Sequence, residues 1–274
     1  MGLIHKNILG VALTFSQKDI ILKEIEKYLI YVRNKKFKFR EKTIKPLIIF
    51  TPNPEIISYA QKDNYFKEIV NTAQINIPDG IGIIWAAKKM FGKKIEKISG
   101  SDFIFELANL AEKKGYRIGL IGGKGGVALE TRECLYKSNT KLKIEVLGEP
   151  EIKLPISKLQ SPNRFQFSNE QIVKDTAKKI ISSDIRILLV ALGFPKQEIF
   201  IKHLAFNIEH LKLNRPIVLM SVGGSFDYIS GKVPRAPLWM RNLGLEWLFR
   251  LIREPKRLRR QIRGARFFWD ILTS

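Results

Sequence analysis

Hydrophobic positions along the chain switch between two periods. Short aliphatic runs, "NILGVAL", "KPLIIFTPN", "AQINI", "YRIGLIGG", "LKIEVLG", "IRILLVALG" and "PIVLMSVGG", have the length and β-branched content of buried strands. Between the first two, Ile20, Ile21, Glu24, Ile25, Tyr28 and Leu29 follow a helical repeat. Ser16 with Asp19 resembles a capping box at its start, with Asp in place of the usual Glu or Gln. Pro54 suits the first turn of a helix running to about residue 71. Further helices are expected over 80–91, 101–114, from about 126, and over 169–182 and 197–210. Strand and helix alternate, which predicts a Rossmann-like α/β fold: a largely parallel sheet with flanking helices. Residues 149–169 form the one long irregular connection, either a loop near a site or an insertion.

At 274 residues, with 45% hydrophobic composition, the chain can bury a substantial core. No apolar run reaches the roughly 18 residues of a membrane span. The N-terminal run is too short, and its sequel too polar, for a secretory signal, so a cytosolic chain is expected. Cys134, the single cysteine, excludes an internal disulfide and a cysteine-built zinc site, and reads as a core residue. His5, His203 and His210 lack metal-ligand spacing, so no protein-ligated metal and no cofactor are expected. The net charge is +22, and it is concentrated: eleven Lys and Arg against three acids follow Gly231. Such a field favours polyanions, whether nucleic acid, an anionic membrane face or a phosphorylated substrate. The composition divides the chain into an α/β core, 1–231, and a basic amphipathic helical appendage, 232–274.

An open parallel sheet binds ligands beyond the carboxyl ends of its strands. Five runs end there in polar or glycine-rich turns: "IIFTPN", "INIPDG", "GLIGGKGG", "LLVALGFPKQE" and "LMSVGGSFD". Thr51, Asn53, Asp79, Gln197 and Asp227 are expected to share one crevice, and Gly122, Gly123, Gly223 and Gly224 let a phosphate approach backbone N–H groups. Two roles stay open for Asp79, a helix cap and an acid facing the crevice. The turn from Gly123 to Ala128 also fits the G-x-G-x-x-A dinucleotide fingerprint, with Glu145 or Glu149 placed for a ribose. A nicotinamide-dependent oxidoreductase is therefore the competing reading. The fingerprint lies past residue 120, however, and leaves four polar strand ends without work.

The turns themselves resemble a known family. "TPN" at 51–53, "PDG" at 78–80, "SGSDF" at 99–103, "LIGG" at 120–123, "LGFPKQE" at 192–198, "VGGSFDYISGKVPRAP" at 222–237 and "GLEWLFRLIREPKRLRR" at 244–260 look like the WecG/TagA/CpsF glycosyltransferases, in order over nearly the whole chain. The resemblance implies inverting, metal-independent transfer of N-acetylmannosamine or its uronic acid. The donor would be a UDP-sugar and the acceptor undecaprenyl-diphosphate-linked N-acetylglucosamine, for cell-surface polysaccharide or teichoic acid synthesis. It places the catalytic base at Asp79, an active-site glutamine at Gln197, the "TPN" contacts at Thr51 and Asn53, and a nucleotide contact at Asp227. It also implies a tail that closes over the site and brings Arg250 and Arg257 to lipid-linked phosphates. One position departs: Lys97 stands where the family usually has arginine, which keeps the charge and loses the bidentate fork.

The residue types make chemical sense of this. An acceptor hydroxyl is a poor nucleophile, and a carboxylate that takes its proton during attack acts as general base. Glycine-turn N–H groups, helix N-termini, Lys97 and tail arginines can stabilise a departing diphosphate. In the tail, Trp239, Met240, Leu243, Trp247, Leu248, Leu251 and Ile252 are interleaved with arginines, the composition of an interfacial helix. Trp247, Arg259, Arg260 and Arg263 are assigned to an anionic membrane surface, where each basic residue contributes about 1 kcal/mol of attraction. The expected enzyme is a peripheral protein of the inner membrane face, compatible with a homo-oligomer. An RNA-binding tail is the third reading, set aside in favour of no nucleic-acid partner.

Overall fold

The structure is a computed structural model that describes residues 2–34, 44–153, 162–255 and 258–273. The chain opens with a hairpin, β1 (His5–Ile8) and β2 (Val11–Thr14), paired antiparallel as a sheet of its own. The run "NILGVAL" is thus not one strand. Leu9 and Gly10 both take positive φ, 49° and 74°, and form the two-residue loop that right-handed strand twist favours in hairpins. Helix α1 (Lys18–Asn34) follows. Ser16 does not cap it; the hydroxyl accepts from Ile4 N at 2.8 Å and staples the hairpin's ends, while the Lys18 N–H donates to Glu96.

Six strands make the main sheet: β3 (Leu47–Phe50), β4 (Ile75–Asn76), β5 (Arg117–Gly122), β6 (Lys143–Gly148), β7 (Ile185–Ala191) and β8 (Val218–Ser221). Their order is β4-β3-β8-β7-β5-β6, and every pair is parallel. Alternate residues feed two cores, one on each face, because side chains alternate along a strand. From β7, Leu188 and Val190 enter one and Ile187 and Leu189 the other; β3 divides likewise, Ile48 and Phe50 against Ile49.

Helices α2 (Pro54–Ala60), α3 (Asn64–Asn71), α4 (Ile81–Phe91), α7 (Pro162–Ser182) and α8 (Lys196–His210) serve the first core, with α1, α5 (Gly100–Lys114) and α6 (Val127–Ser138) on the second. The helix expected over 54–71 is two helices. Asn53 caps the first through Ile56 N at 3.0 Å, and Asp63 starts the second by accepting from Phe66 N at 2.9 Å. Helix α7 begins earlier than the expected 169, so only part of the 149–169 connection is irregular, and residues 154–161 lie outside the described residues. Cys134 is half-buried on α6 rather than a core residue.

The C-terminal residues form α9 (Ser225–Ile229), α10 (Leu238–Asn242), α11 (Glu246–Arg253) and α12 (Leu258–Leu272). Helix α12 lies against α2, and its Phe267 and Ile271 are part of the first core. Phe267→Ala removes a fully buried ring and is expected to cost about 3–5 kcal/mol of unfolding free energy. Trp269→Ala, at a largely exposed position of the same helix, is expected to stay within about 0.5 kcal/mol. Urea denaturation of the two variants checks the contrast, and equal losses would place the helix wrongly.

Candidate active site

Parallel register brings the polar turns after β3, β4, β5, β7 and β8 to one edge, where they wall a cavity of about 1010 Å³. Thr51, Asn53, Asp79, Gly123, Gln197 and Asp227 all line it, and Glu246, Trp247 and Arg250 of α11 close it from the C-terminal side. The "TPN" and "PDG" turns are tied directly: Asp79 N donates to Pro52 O at 2.9 Å, continuing the β3–β4 ladder past its end. Gly80, at φ 89°, is the N-cap of α4, so Asp79 precedes the helix instead of capping it. Of the two roles left open by the sequence, the carboxylate facing the crevice is the one the geometry retains.

Asp79 is partly buried, and its pKa is pushed up to about 6. Burial is the main cause, the Glu246 carboxylate adds to it, and Lys97, Arg250 and a hydrogen bond from Gly80 N–H oppose it. A carboxylate ionising near pH 6 is a far better proton acceptor than an exposed one and is still ionised at neutral pH. Gln197 is buried and held on both sides: its carbonyl oxygen accepts from Gly223 N at 3.0 Å and its amide donates to Glu198 at 2.8 Å. That fixes the glycine turn after β8 against the start of α8.

Arg250 reaches into the same space. Its guanidinium stacks over Tyr228 at 4.6 Å, Nε donates to Glu254 at 3.0 Å, and the group lies so close over Gly224 that an added Cβ would stand 2.5 Å from Nη2. Nη2 is buried with no hydrogen-bond partner among the described residues. A buried cationic donor left unfilled at a cavity wall is a position for an anion.

Lys97 is not in the lining; Nζ donates to the Arg241 carbonyl at 2.6 Å, from where its charge acts on Asp79. Gly122 also stays out of the lining. An added Cβ would meet Ala191 O at 2.5 Å, so its lack of a side chain serves the contact between β5 and β7. Arg257 lies outside the described residues, as do the side chains of Arg259, Arg260 and Arg263.

Three acids went unremarked as site residues or take a different place. Glu246 stands in the cavity wall, and Asp102, at the start of α5, pairs with Arg235 and Arg241. The signal available was an acid inside a strongly basic or glycine-rich motif. Glu149 accepts from Gly125 N and Gly126 N at 2.9 and 2.7 Å, so the N–H groups a dinucleotide pyrophosphate would need hold the chain's own carboxylate. That speaks against the nicotinamide reading. Among the described residues, no group of three or more His, Cys, Asp or Glu is placed to hold a metal ion.

The model of the glycosyl transferase WecG/TagA/CpsF family matches residues 33–274. This chain belongs to that family. Over 231 residues it is 33% identical to the N-acetylglucosaminyldiphosphoundecaprenol N-acetyl-beta-D-mannosaminyltransferase of Bacillus subtilis (strain 168), covering 82% of this chain and 78% of that protein. A WecG/TagA/CpsF member is a glycosyltransferase, and the cavity at the carboxyl edge is the candidate site for its chemistry.

The raised pKa of Asp79 has a stability consequence. Its folded value lies above the ordinary 3.8, so the native state holds this proton more tightly, and stability is lost as pH rises from about 4 to about 6. Asp79→Asn removes that cost and is expected to stabilise the fold by about 3 kcal/mol at pH 7.5, with no gain below about pH 4. Urea denaturation at both pH values tests this, and a variant less stable than wild type at pH 7.5 would contradict the burial of the charge.

Proposed function

We propose that this glycosyltransferase moves N-acetylmannosamine, or its uronic acid, from a UDP donor to undecaprenyl-diphosphate-linked N-acetylglucosamine, with inversion and without a metal. The name of the Bacillus subtilis relative supports the acceptor and the mannosaminyl unit. The observation that carries the chemistry is a partly buried carboxylate, Asp79, sharing one cavity with the unfilled Arg250 donor.

In this reading Asp79 takes the proton of the acceptor hydroxyl as its oxygen bonds to the anomeric carbon. The bond from that carbon to the UDP oxygen breaks on the opposite face, and its electron pair leaves with the diphosphate. A single displacement of this kind inverts the anomeric centre. Arg250 Nη2 meets the charge that develops on the leaving group, since the N–H groups of Gly123, Gly125, Gly126 and Gly223 already donate within the chain. Thr51, Asn53 and Asp227 hold the nucleotide-sugar from the strand ends, and Gln197 keeps the turn at Gly223 in place. Lys97 adds positive potential from behind the wall.

The acceptor's lipid places the enzyme at a membrane surface. Among the described residues no helix is long and apolar enough to span a bilayer. The C-terminal helices instead expose Trp239, Leu243, Trp247, Ile252, Ile262 and Trp269 amid arginines. Such a surface suits an anionic interface, where aromatic side chains seat and basic ones pair with headgroups. Arg257, Arg259, Arg260 and Arg263 extend this basic surface in our reading, with Arg257 directed to the acceptor phosphates.

With UDP-N-acetylmannosamine and a short-chain prenyl-diphosphate N-acetylglucosamine, wild-type protein is expected to form the disaccharide product. Asp79→Asn should lower turnover by about 10²–10⁴-fold while remaining folded. Near wild-type turnover in that variant would remove Asp79 from its role. Lys97→Ala should lose more activity than Lys97→Arg, and equal activity in all three proteins would make Lys97 a bystander. Charge reversal at Arg259, Arg260 and Arg263 should weaken binding to anionic liposomes in a salt-sensitive manner, while Arg250→Gln should reduce transfer even to a water-soluble acceptor. Undiminished liposome binding would defeat the membrane assignment.

A further inference from the structure

A continuous chain of polar contacts joins the start of α5 to the C-terminal segment. Asp102 accepts from Arg235 through both carboxylate oxygens, at 2.6 and 2.9 Å, and from Arg241 at 3.3 Å. Arg235 also donates to the Ser99 hydroxyl at 3.1 Å, and its Nε lies 3.8 Å from Glu246. On the other side, the carbonyl of Arg241 accepts from Lys97 at 2.6 Å. The chain therefore runs Lys97, Arg241, Asp102, Arg235, Glu246, with one carboxylate at its centre.

Its two ends bear on the same group. Glu246 and Arg250 from α11 and Lys97 from the connection between α4 and α5 are the charged side chains acting on Asp79. None of the residues of α11 is fully buried, and Leu248, Phe249 and Leu251 are only half-buried, so apolar packing fixes that helix less firmly than a core helix. The paired guanidinium contacts of Arg235 and Arg241 supply a register that packing does not, because a bidentate fork sets direction as well as distance.

We propose that Asp102 is a positioning residue that, through Arg235 and Arg241, registers the C-terminal segment on the core and thereby fixes where Glu246, Arg250 and Lys97 stand about Asp79. This rests on the transferase reading only for its catalytic meaning; the arrangement itself can be measured without turnover. Asp102 contacts no reacting atom. Its own carboxyl is held below the usual range: burial acts to raise it, and the Arg235 hydrogen bonds with the Arg235 and Arg241 charges more than offset that.

The consequence for Asp79 has a definite sign. Releasing the segment exposes Asp79 and withdraws Glu246, the two influences that raise its pKa most, and withdraws Arg250, a smaller opposing one, while Lys97 stays on the core and loses only its Arg241 carbonyl partner. Asp79 should then ionise at lower pH.

The test follows the Asp79 carboxyl by carbon NMR in the full chain labelled at aspartate side chains, with its signal identified by its absence in Asp79→Asn. Wild type should titrate near pH 6. In Asp102→Asn the midpoint should fall so that the ionised fraction at pH 5 rises about fivefold or more, and trypsin should cut within residues 232–255 faster than in wild type. Arg235→Gln should reproduce both changes, which keeps the idea testable should Asp102→Asn fail to fold. An unmoved midpoint in a folded variant overturns the proposal, whether or not the segment is cut faster. Transfer by wild type in the same preparation reports separately on the reading of function: its absence, beside a shifted midpoint, sinks the proposed donor and acceptor and leaves the positioning role standing.

Discussion

Six parallel strands cannot be joined by hairpins. Each connection has to return across a face of the sheet, so every strand's carboxyl end, with the polar turn behind it, is delivered to one edge. The rest of the molecule follows from that constraint. Asn53, Asp79, Gly123, Gln197 and Asp227 are separated by up to 174 residues in sequence, yet they wall one cavity because the register of β3, β4, β5, β7 and β8 is fixed by two well-filled cores. The contact of Asp79 N with Pro52 O shows how local this is: the ladder between β3 and β4 runs on into the turns and sets the acid's place to within a hydrogen bond.

A protein of net charge +22 ought to hold its carboxylates ionised with ease, yet Asp79 keeps its proton up to about pH 6. The long-range field is screened by solvent and salt, whereas burial and the neighbouring Glu246 act at short range. Short range wins at this position. Among the described residues no lysine or arginine is fully buried, and the cations that act on Asp79, Lys97 and Arg250, moderate its pKa without bringing it back to the ordinary value. Poise near neutral pH comes from burial and Glu246 opposed by Lys97 and Arg250, which makes it sensitive to whatever fixes α11.

Much of this was legible in the sequence. The strands were readable because buried parallel strands are continuous aliphatic runs, and the carboxyl-edge turns because polar residues after such runs have little structural excuse. The hairpin was not: Leu9 at positive φ gives none of the Asn-Gly signal of a tight turn. Nor was the break before α3, since Asp63 looks the same on a helix's polar face as at its cap. Ser16 and Asp19 had the spacing of a capping box, but the hydroxyl found a partner twelve residues back, at Ile4. Asp102 and Arg235 are 133 residues apart, and an ion pair across that separation leaves no mark in local spacing.

The C-terminal segment shows why composition alone could not divide its aromatic residues. Phe267 is fully buried in the core and Trp269, two positions on, is largely exposed, so one helix presents an apolar face in each direction. Helix α12 is thereby anchored by burial. Helix α11 has no fully buried residue, and the Arg235–Glu246 approach and the Arg250–Tyr228 stack tie it to the rest of the cavity wall. Polar contacts at partly exposed positions weaken with salt and open at lower free energy than a packed core. The wall that carries Glu246 and Arg250 is therefore the least firmly held part of the cavity. It can yield to admit a substrate while the strand ends, held by the two cores, keep their places.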